Sequence, residues 1–161
     1  MRNLFYIVLI SSSILIGMMF INVHPAQATE KLIGTWVINI ELSQPRPGSR
    51  PSASSTRSYE WKGDMLKNIT QGGRVDGAES FIEYESKYDG QFYSLAGSST
   101  RVAMLRLDPF TSIVTTVRGD HMNSHITRTV SDDGTTLTFL TQGVDTEGKP
   151  YVEVLIFNKQ E

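Results

Sequence analysis

Hydrophobic and polar residues alternate with period two along most of this chain after about residue 30, and turn-forming residues interrupt the alternation every 8 to 14 positions. In the first run, Trp36, Ile38, Ile40 and Leu42 share one face. Such alternation predicts half-buried β-strands. The runs are rich in Thr, Val, Tyr and Ile and lack the i, i+3, i+4 stripe of an amphipathic helix. The pattern therefore predicts an all-β protein of about ten short strands.

The connections predict the order in which these strands pair. The stretch Gln44–Ser55 holds three prolines among serines and reads as a long non-strand connection. Asp89–Gly90 follows the longest run, Ala78–Tyr88, and a DG pair of this kind indicates a hairpin. Hairpin-length links predict an up-and-down antiparallel meander, and closure into a β-barrel removes its exposed edges. A two-sheet sandwich is the competing architecture.

The first 28 residues have the order of a secretory signal peptide. Arg2 precedes the apolar run Leu4–Val23, and Ala26-Gln27-Ala28 supplies the small-x-small cleavage pattern. We predict cleavage after Ala28 and export to the periplasm or outside the cell. An uncleaved anchor is the alternative, because the run is long enough to cross a bilayer, which takes about 20 residues.

Removal of 28 residues from 161 leaves residues 29–161, a length of 133 that suits one domain with a real core. The full chain has 15 Lys and Arg against 17 Asp and Glu, and this balance does not indicate a nucleic-acid partner. No further membrane span is expected after cleavage. The chain has no cysteine, which excludes disulfides, thiol catalysis and Cys-ligated zinc.

Two arginines are the strongest candidates for ligand contact. Arg106 shares a strand face with Val102 and Met104, and Arg128 alternates with apolar residues in the same way. If these faces point inward, each guanidinium needs an anionic partner, such as a ligand carboxylate or phosphate, because a buried unpaired charge is costly. Otherwise each reaches solvent or pairs with a neighbouring carboxylate. Tyr84 suits an amphipathic cavity wall and equally suits a core.

The sequence gives little support for a metal site or an enzyme, and no cofactor is expected. His121 and His125 lie four residues apart, roughly 13 Å along a strand, and no third ligand is evident. Glu83 and Glu85 share a face with Lys87, which indicates a solvated outer wall. No nucleophile elbow is present.

Gly34-Thr35-Trp36 at the head of the first strand resembles the Gly-x-Trp start of lipocalins and other calycin barrels. With the further stretches TRSYEWKGD, EYESKYDGQFY and RLDPFTSIVTT, the mature chain is similar to a family of small exported bacterial proteins described as lipocalin-like and largely uncharacterised. The resemblance implies a calycin-type barrel of about ten strands in which Trp36 plugs the closed end. The last strand departs from fatty-acid-binding proteins, since Leu155 and Phe157 replace the Arg and Tyr of their carboxylate clamp.

These observations predict a non-enzymatic barrel that binds one small apolar or amphipathic molecule inside, with Tyr84, Arg106 and Arg128 as wall residues. The alternative is a filled barrel that acts through its surface as an envelope interaction module or inhibitor, with Gln44–Ser55 as its contact loop. The two differ in the interior, because a ligand site needs a void of several hundred Å³ with a mouth.

Overall fold

The computed structural model describes residues 31–49, 52–119, 121–145 and 147–161. The predicted signal peptide and its cleavage site lie outside these residues. Within them the chain forms strands joined by turns and contains no helix, so no helix is available that would be long and apolar enough to span a membrane. The ten strands are β1 (Gly34–Ile38), β2 (Ser52–Lys62), β3 (Met65–Arg74), β4 (Glu79–Ser86), β5 (Asp89–Ser94), β6 (Thr100–Arg106), β7 (Thr111–Arg118), β8 (His121–Val130), β9 (Thr136–Val144) and β10 (Pro150–Lys159).

All ten strands belong to one antiparallel sheet with the order β4-β3-β2-β1-β10-β9-β8-β7-β6-β5. Strand β1 pairs with both β2 and β10, so the first and last strands are neighbours. The sheet curls into a nearly closed barrel whose seam lies between β4 and β5, where the described residues form no ladder. The predicted up-and-down barrel is confirmed, and a single continuous sheet excludes the sandwich.

The predicted hairpin at Asp89–Gly90 is wrong. Strand β4 ends at Ser86, and Asp89–Gly90 begin β5, which pairs with β6 rather than with β4. Gly90 has a positive φ of 74° and sits at a β-bulge between Asp89 and Phe92. The DG pair therefore bends the chain as it crosses the seam, because a bulge needs the same glycine conformation as a tight turn.

The connection between β1 and β2 also differs from the prediction. Ile40 and Leu42 are 52% and 58% exposed, because the chain turns after Ile38 and the Asn39 side chain accepts the Leu42 N–H at 3.1 Å. Strand β2 already starts at Ser52, so the non-strand segment is shorter than Gln44–Ser55. Gly72 and Gly73 face these serines across the ladder. Their missing side chains let the serine strand approach closely.

Candidate ligand-binding site

The register shows which residues point into the barrel, because directly opposed residues of an antiparallel pair face the same side. Trp36 opposes Arg57, Arg57 opposes Thr70, and Thr70 opposes Ile82. By the same rule, the following residues on the other strands also point inward: Phe157, Phe139, Arg128, Ser112 and Arg106.

The inward face divides into two halves along the barrel axis. The lower interior surrounds Trp36 and is fully buried; it includes Trp36, Leu66, Met104, Leu137 and Phe157. The upper interior faces the opposite rim and is partly exposed; it includes Ile38, Thr70, Ile82, Ile126 and Leu155. Ile82 is 44% exposed although it points inward. The barrel is thus filled at one end and open at the other.

The lower end is closed by the segment that precedes β1. The Trp36 Nε1–H donates to the Leu32 carbonyl at 2.8 Å, and Leu32 itself is buried. Lys159 Nζ donates to the Lys31 carbonyl at 2.9 Å and lies 5.2 Å from the Trp36 ring. Lys31 in turn donates to the Asp132 carbonyl in the β8–β9 turn. These contacts cover the indole from below.

Arg128 lies at the boundary between the two halves and is 2% exposed. Its guanidinium donates to Tyr88 Oη at 2.6 Å, to Ser112 Oγ at 3.0 Å and to Asn68 Oδ1 at 3.4 Å. All three acceptors are neutral, and no described carboxylate pairs with it. Buried arginine charges are usually compensated by an anion. Arg128 therefore leaves a net positive charge inside the barrel.

Arg57 adds a second cation just above, and the sequence analysis did not single it out. Its guanidinium stacks on the Phe139 ring at 4.3 Å and on the Phe157 ring at 5.1 Å. Its Nε is buried and has no hydrogen-bond partner. The signal for Arg57 was present in the alternation of Arg57, Tyr59 and Trp61 on one face, which resembles the pattern around Arg128.

Tyr84 lies on the same inward face, opposite Asn68 in the ladder. Burial raises the pKa of Tyr84 to about 12, and the nearby guanidinium of Arg128 opposes this rise. The phenol is therefore neutral at physiological pH and remains a hydrogen-bond donor. The structure thus brings Tyr84, Arg128 and Arg57 into one positively charged cluster.

Arg106 lies apart from this cluster, on the closed-end side of Tyr88. Its guanidinium is 4.3 Å from the Tyr88 ring. A cavity of about 20 Å³ reaches both Arg106 and Arg128 there. A single water needs about 10–15 Å³ of such space, so this cavity has room for little more than a water. The structure gives Arg106 no place in the upper interior.

The larger cavities lie at the open rim. One of about 580 Å³ is lined by Arg46, Arg74 and several serines and glycines. The other, of about 470 Å³, lies mainly on the outer face of the same strands, where Thr56, Gln71 and Phe81 oppose one another. The first has the size of a small-molecule site. It sits above the inward-facing residues of β2, β3 and β4.

The histidine and carboxylate pairs of the sequence form no chemical site among the described residues. His125 is exposed and its Nδ1 lies 3.1 Å from Thr115 Oγ1, and the side chain of His121 is not described. Glu83 and Glu85 point outward and pair with Lys67 and Lys62. No described group of three or more His, Cys, Asp or Glu residues could hold a metal.

Comparison with known proteins gives a fold-level likeness only. No protein-family model and no curated protein matches the chain. Among solved structures, the siderocalin Ex-FABP is 11% identical with a TM-score of 0.40, over 81% of this chain and 71% of that one. Lobster apocrustacyanin A1 is 10% identical with a TM-score of 0.40, over 81% of this chain and 61% of that one. At this level the likeness assigns neither ligand nor activity.

Proposed function

We propose that this protein binds one small amphipathic anion in the upper interior of the barrel. The anionic end lies against Arg57, with Arg128 and Tyr84 beneath, and the apolar body packs on Ile82 and Leu155. The observation that carries the proposal is Arg57, an inward-facing cation whose buried Nε has no acceptor among the described residues.

The energetics favour an anion over a neutral guest. A buried N–H without a partner costs about 1–3 kcal/mol, and a hydrogen bond from a charged donor is roughly twice as strong as a neutral one. An oxyanion at Arg57 supplies the missing acceptor and offsets the charge of Arg128. Glu153 is an inward-facing carboxylate of the upper interior, and its Oε2 accepts the Arg46 backbone N–H at 3.2 Å.

The apolar part of the site explains why the guest is amphipathic. Inward-facing Ile38, Ile82, Ile126 and Leu155 are only partly covered by the protein itself. Covering them with a hydrocarbon chain contributes about 25 cal/mol per Å² of apolar surface removed from water. The anionic end fixes the orientation of the ligand, and its hydrocarbon chain contributes binding free energy through burial of apolar surface.

Calorimetry with decanoate and decanol tests this proposal. We expect the wild-type protein to bind decanoate about 10- to 100-fold more tightly than decanol, because the carboxylate forms a charge-assisted hydrogen bond with Arg57 and the neutral hydroxyl of decanol forms a weaker one. The variant Arg57→Gln should lose this preference. Arg101→Gln is the matched control, because Arg101 lies outside the barrel on the Phe92 ring. An undiminished preference in Arg57→Gln would contradict the proposal.

A second candidate function is the surface-acting barrel. It is favoured by an outward row that the register holds side by side, namely Leu105, Ile113, Thr127, Leu140 and Val154. Leu105 and Leu140 are 49% and 38% exposed. If neither decanoate nor decanol binds, this outer wall becomes the better candidate.

We further propose that the protein is exported after loss of residues 1–28, on the strength of the leader pattern. Intact-mass measurement of the protein from its own source tests this. A chain that starts at Thr29 supports export by this route, and a retained Met1 contradicts it.

A further inference from the structure

The cavity at the open rim is lined in part by residues of the inward face. Ser55 lies two residues before Arg57 on β2, and Gly72 and Ser80 oppose it in turn on β3 and β4. All three residues lie on the inward face, and all three line the cavity of about 580 Å³. A ligand whose anionic end lies at Arg57 therefore extends toward this cavity.

Two arginines from separate segments reach the cavity. Arg46 belongs to the β1–β2 connection. Its guanidinium lies 5.1 Å from the Tyr151 ring, and its backbone N–H donates to the Glu153 carboxylate. Arg74 is the last residue of β3, and its backbone N–H donates to the Ala78 carbonyl at 2.8 Å in the turn that follows. Neither guanidinium forms an ion pair within the described residues. The connection and the turn thus place two guanidinium groups at the same cavity, and the Arg46 charge also interacts with the Asp145 carboxylate.

The glycines of β3 keep this part of the cavity open. A Cβ on Gly72 would lie 3.2 Å from Ser80 Oγ and 3.3 Å from the Ser54 carbonyl, so a side chain there would crowd the cavity wall. The serine hydroxyls that remain can rotate to donate to an oxyanion. Arginine adds a planar fork of donors that matches carboxylate and phosphate.

Resting on the function proposed above, we propose that the ligand is an elongated dianion. Its first oxyanion lies at Arg57, and its second oxyanion lies in the rim cavity between Arg46 and Arg74. Ser55 is two residues and Ser52 five residues from Arg57 along β2. At roughly 3.3 Å per residue the two charges are separated by about 7 to 16 Å.

Calorimetric titration with α,ω-dicarboxylates and monocarboxylates of equal chain length tests the second site. We expect the dicarboxylate to bind about tenfold more tightly, with an optimum chain length that places the charges within the range given above. The double variant Arg46→Gln/Arg74→Gln should remove this advantage and leave monocarboxylate binding unchanged. Arg118→Gln is the matched control, because Arg118 is exposed at the same rim but does not line the cavity. An ω-phosphate analogue in the same series distinguishes the two oxyanion types.

The outcomes separate this inference from the function on which it rests. Monocarboxylate binding that depends on Arg57, with no gain from a second carboxylate, overturns the dianion and leaves the proposed function standing. A gain that survives in the double variant overturns the rim assignment. Absence of binding by both acids overturns both proposals.

Discussion

The lower and upper halves of this barrel interior are built by the same strands and the same alternation, but they differ in what covers them. Leu66 and Ile82 both point inward from neighbouring strands; Leu66 is fully buried and Ile82 is 44% exposed. The lower half is sealed by Leu32, Lys31 and the β8–β9 turn. The upper half meets an open rim. Alternation therefore reports which side of the sheet a residue takes, but not how deeply it is buried.

Arg128 and Arg57 show the same contrast. Arg128, at the boundary, donates to three neutral side chains. Arg57, one level higher, stacks on two phenylalanine rings and leaves its Nε without an acceptor. The fold thus satisfies the hydrogen bonds of the deeper arginine and leaves the upper one open to a guest.

The largest expected effect is on the sealed end. Trp36→Ala removes a fully buried indole and its bond to Leu32, and should lower the free energy of unfolding by about 3–5 kcal/mol. Trp61→Ala is the control, since Trp61 is 40% exposed. Urea unfolding should show less than half the loss for Trp61→Ala. Equal losses would contradict the claim that the burial of Trp36 sets the cost, since Trp61 belongs to the same end of the barrel and differs in being exposed.

A smaller difference in the free energy of unfolding should distinguish the lower from the upper interior, at Leu66 and Ile82 on adjacent strands. Leu66→Ala leaves a cavity in the lower interior and should cost about 2–5 kcal/mol. Ile82→Ala removes a side chain already close to water and should cost less than about 1.5 kcal/mol. Chemical denaturation measures both. A larger loss for Ile82→Ala would show that the upper interior is filled rather than open.

The pH dependence of stability tests whether the Tyr84 phenol is buried inside the barrel. Its pKa of about 12 lies above the ordinary value of 10.0, so folding favours the neutral phenol. This contribution is fully present below pH 10 and is lost as pH rises from 10 to 12, to a total of about 2–3 kcal/mol. Tyr84→Phe should therefore lose less stability than the wild type across that range, measured by urea unfolding. An unchanged slope in Tyr84→Phe would argue against a buried phenol.

The smallest effect concerns the turns at the two ends. Asp133, at the closed end, accepts bonds from Ser131 Oγ, Thr135 N and Thr135 Oγ1, and these lower its pKa to about 2. Asp145, at the open rim, accepts from the backbone of Glu147 and Lys149. Asp133→Ala should destabilise the protein more than Asp145→Ala at neutral pH. The Asp133→Ala effect should shrink as pH falls from about 4 toward 2, because protonation removes the charged acceptor in the wild type. Thermal melts at several pH values provide the measurement.

Part of the candidate site was accessible from the sequence. Arg128 alternates with apolar residues, and Tyr84 has the amphipathic character of a cavity wall, so both were predicted. Arg57 obeys the same alternation but was passed over, because nothing local shows that Phe139 and Phe157 from distant strands form its floor. Arg106 was predicted with Arg128, but the strands place it on the closed-end side of Tyr88.

The DG pair shows the limit of local turn chemistry. Asp89–Gly90 has the composition of a hairpin, and Gly90 does take a positive φ. The same bend could pair β4 with β5 or lead the chain across a seam. The second occurs here, because β4 pairs with β3 and β5 pairs with β6. Those partners are chosen by closure of the whole barrel.

The sequence by itself determined the all-β class, a count of about ten strands and, within most strands, which residues share a face, because period-two alternation and turn residues act within a few positions of the chain. Only the tertiary structure decided the seam, the filled and open ends, and the meeting of Arg57 with Arg128 and Tyr84. These features depend on contacts between residues far apart in the chain, and barrel closure decides which of those residues become neighbours.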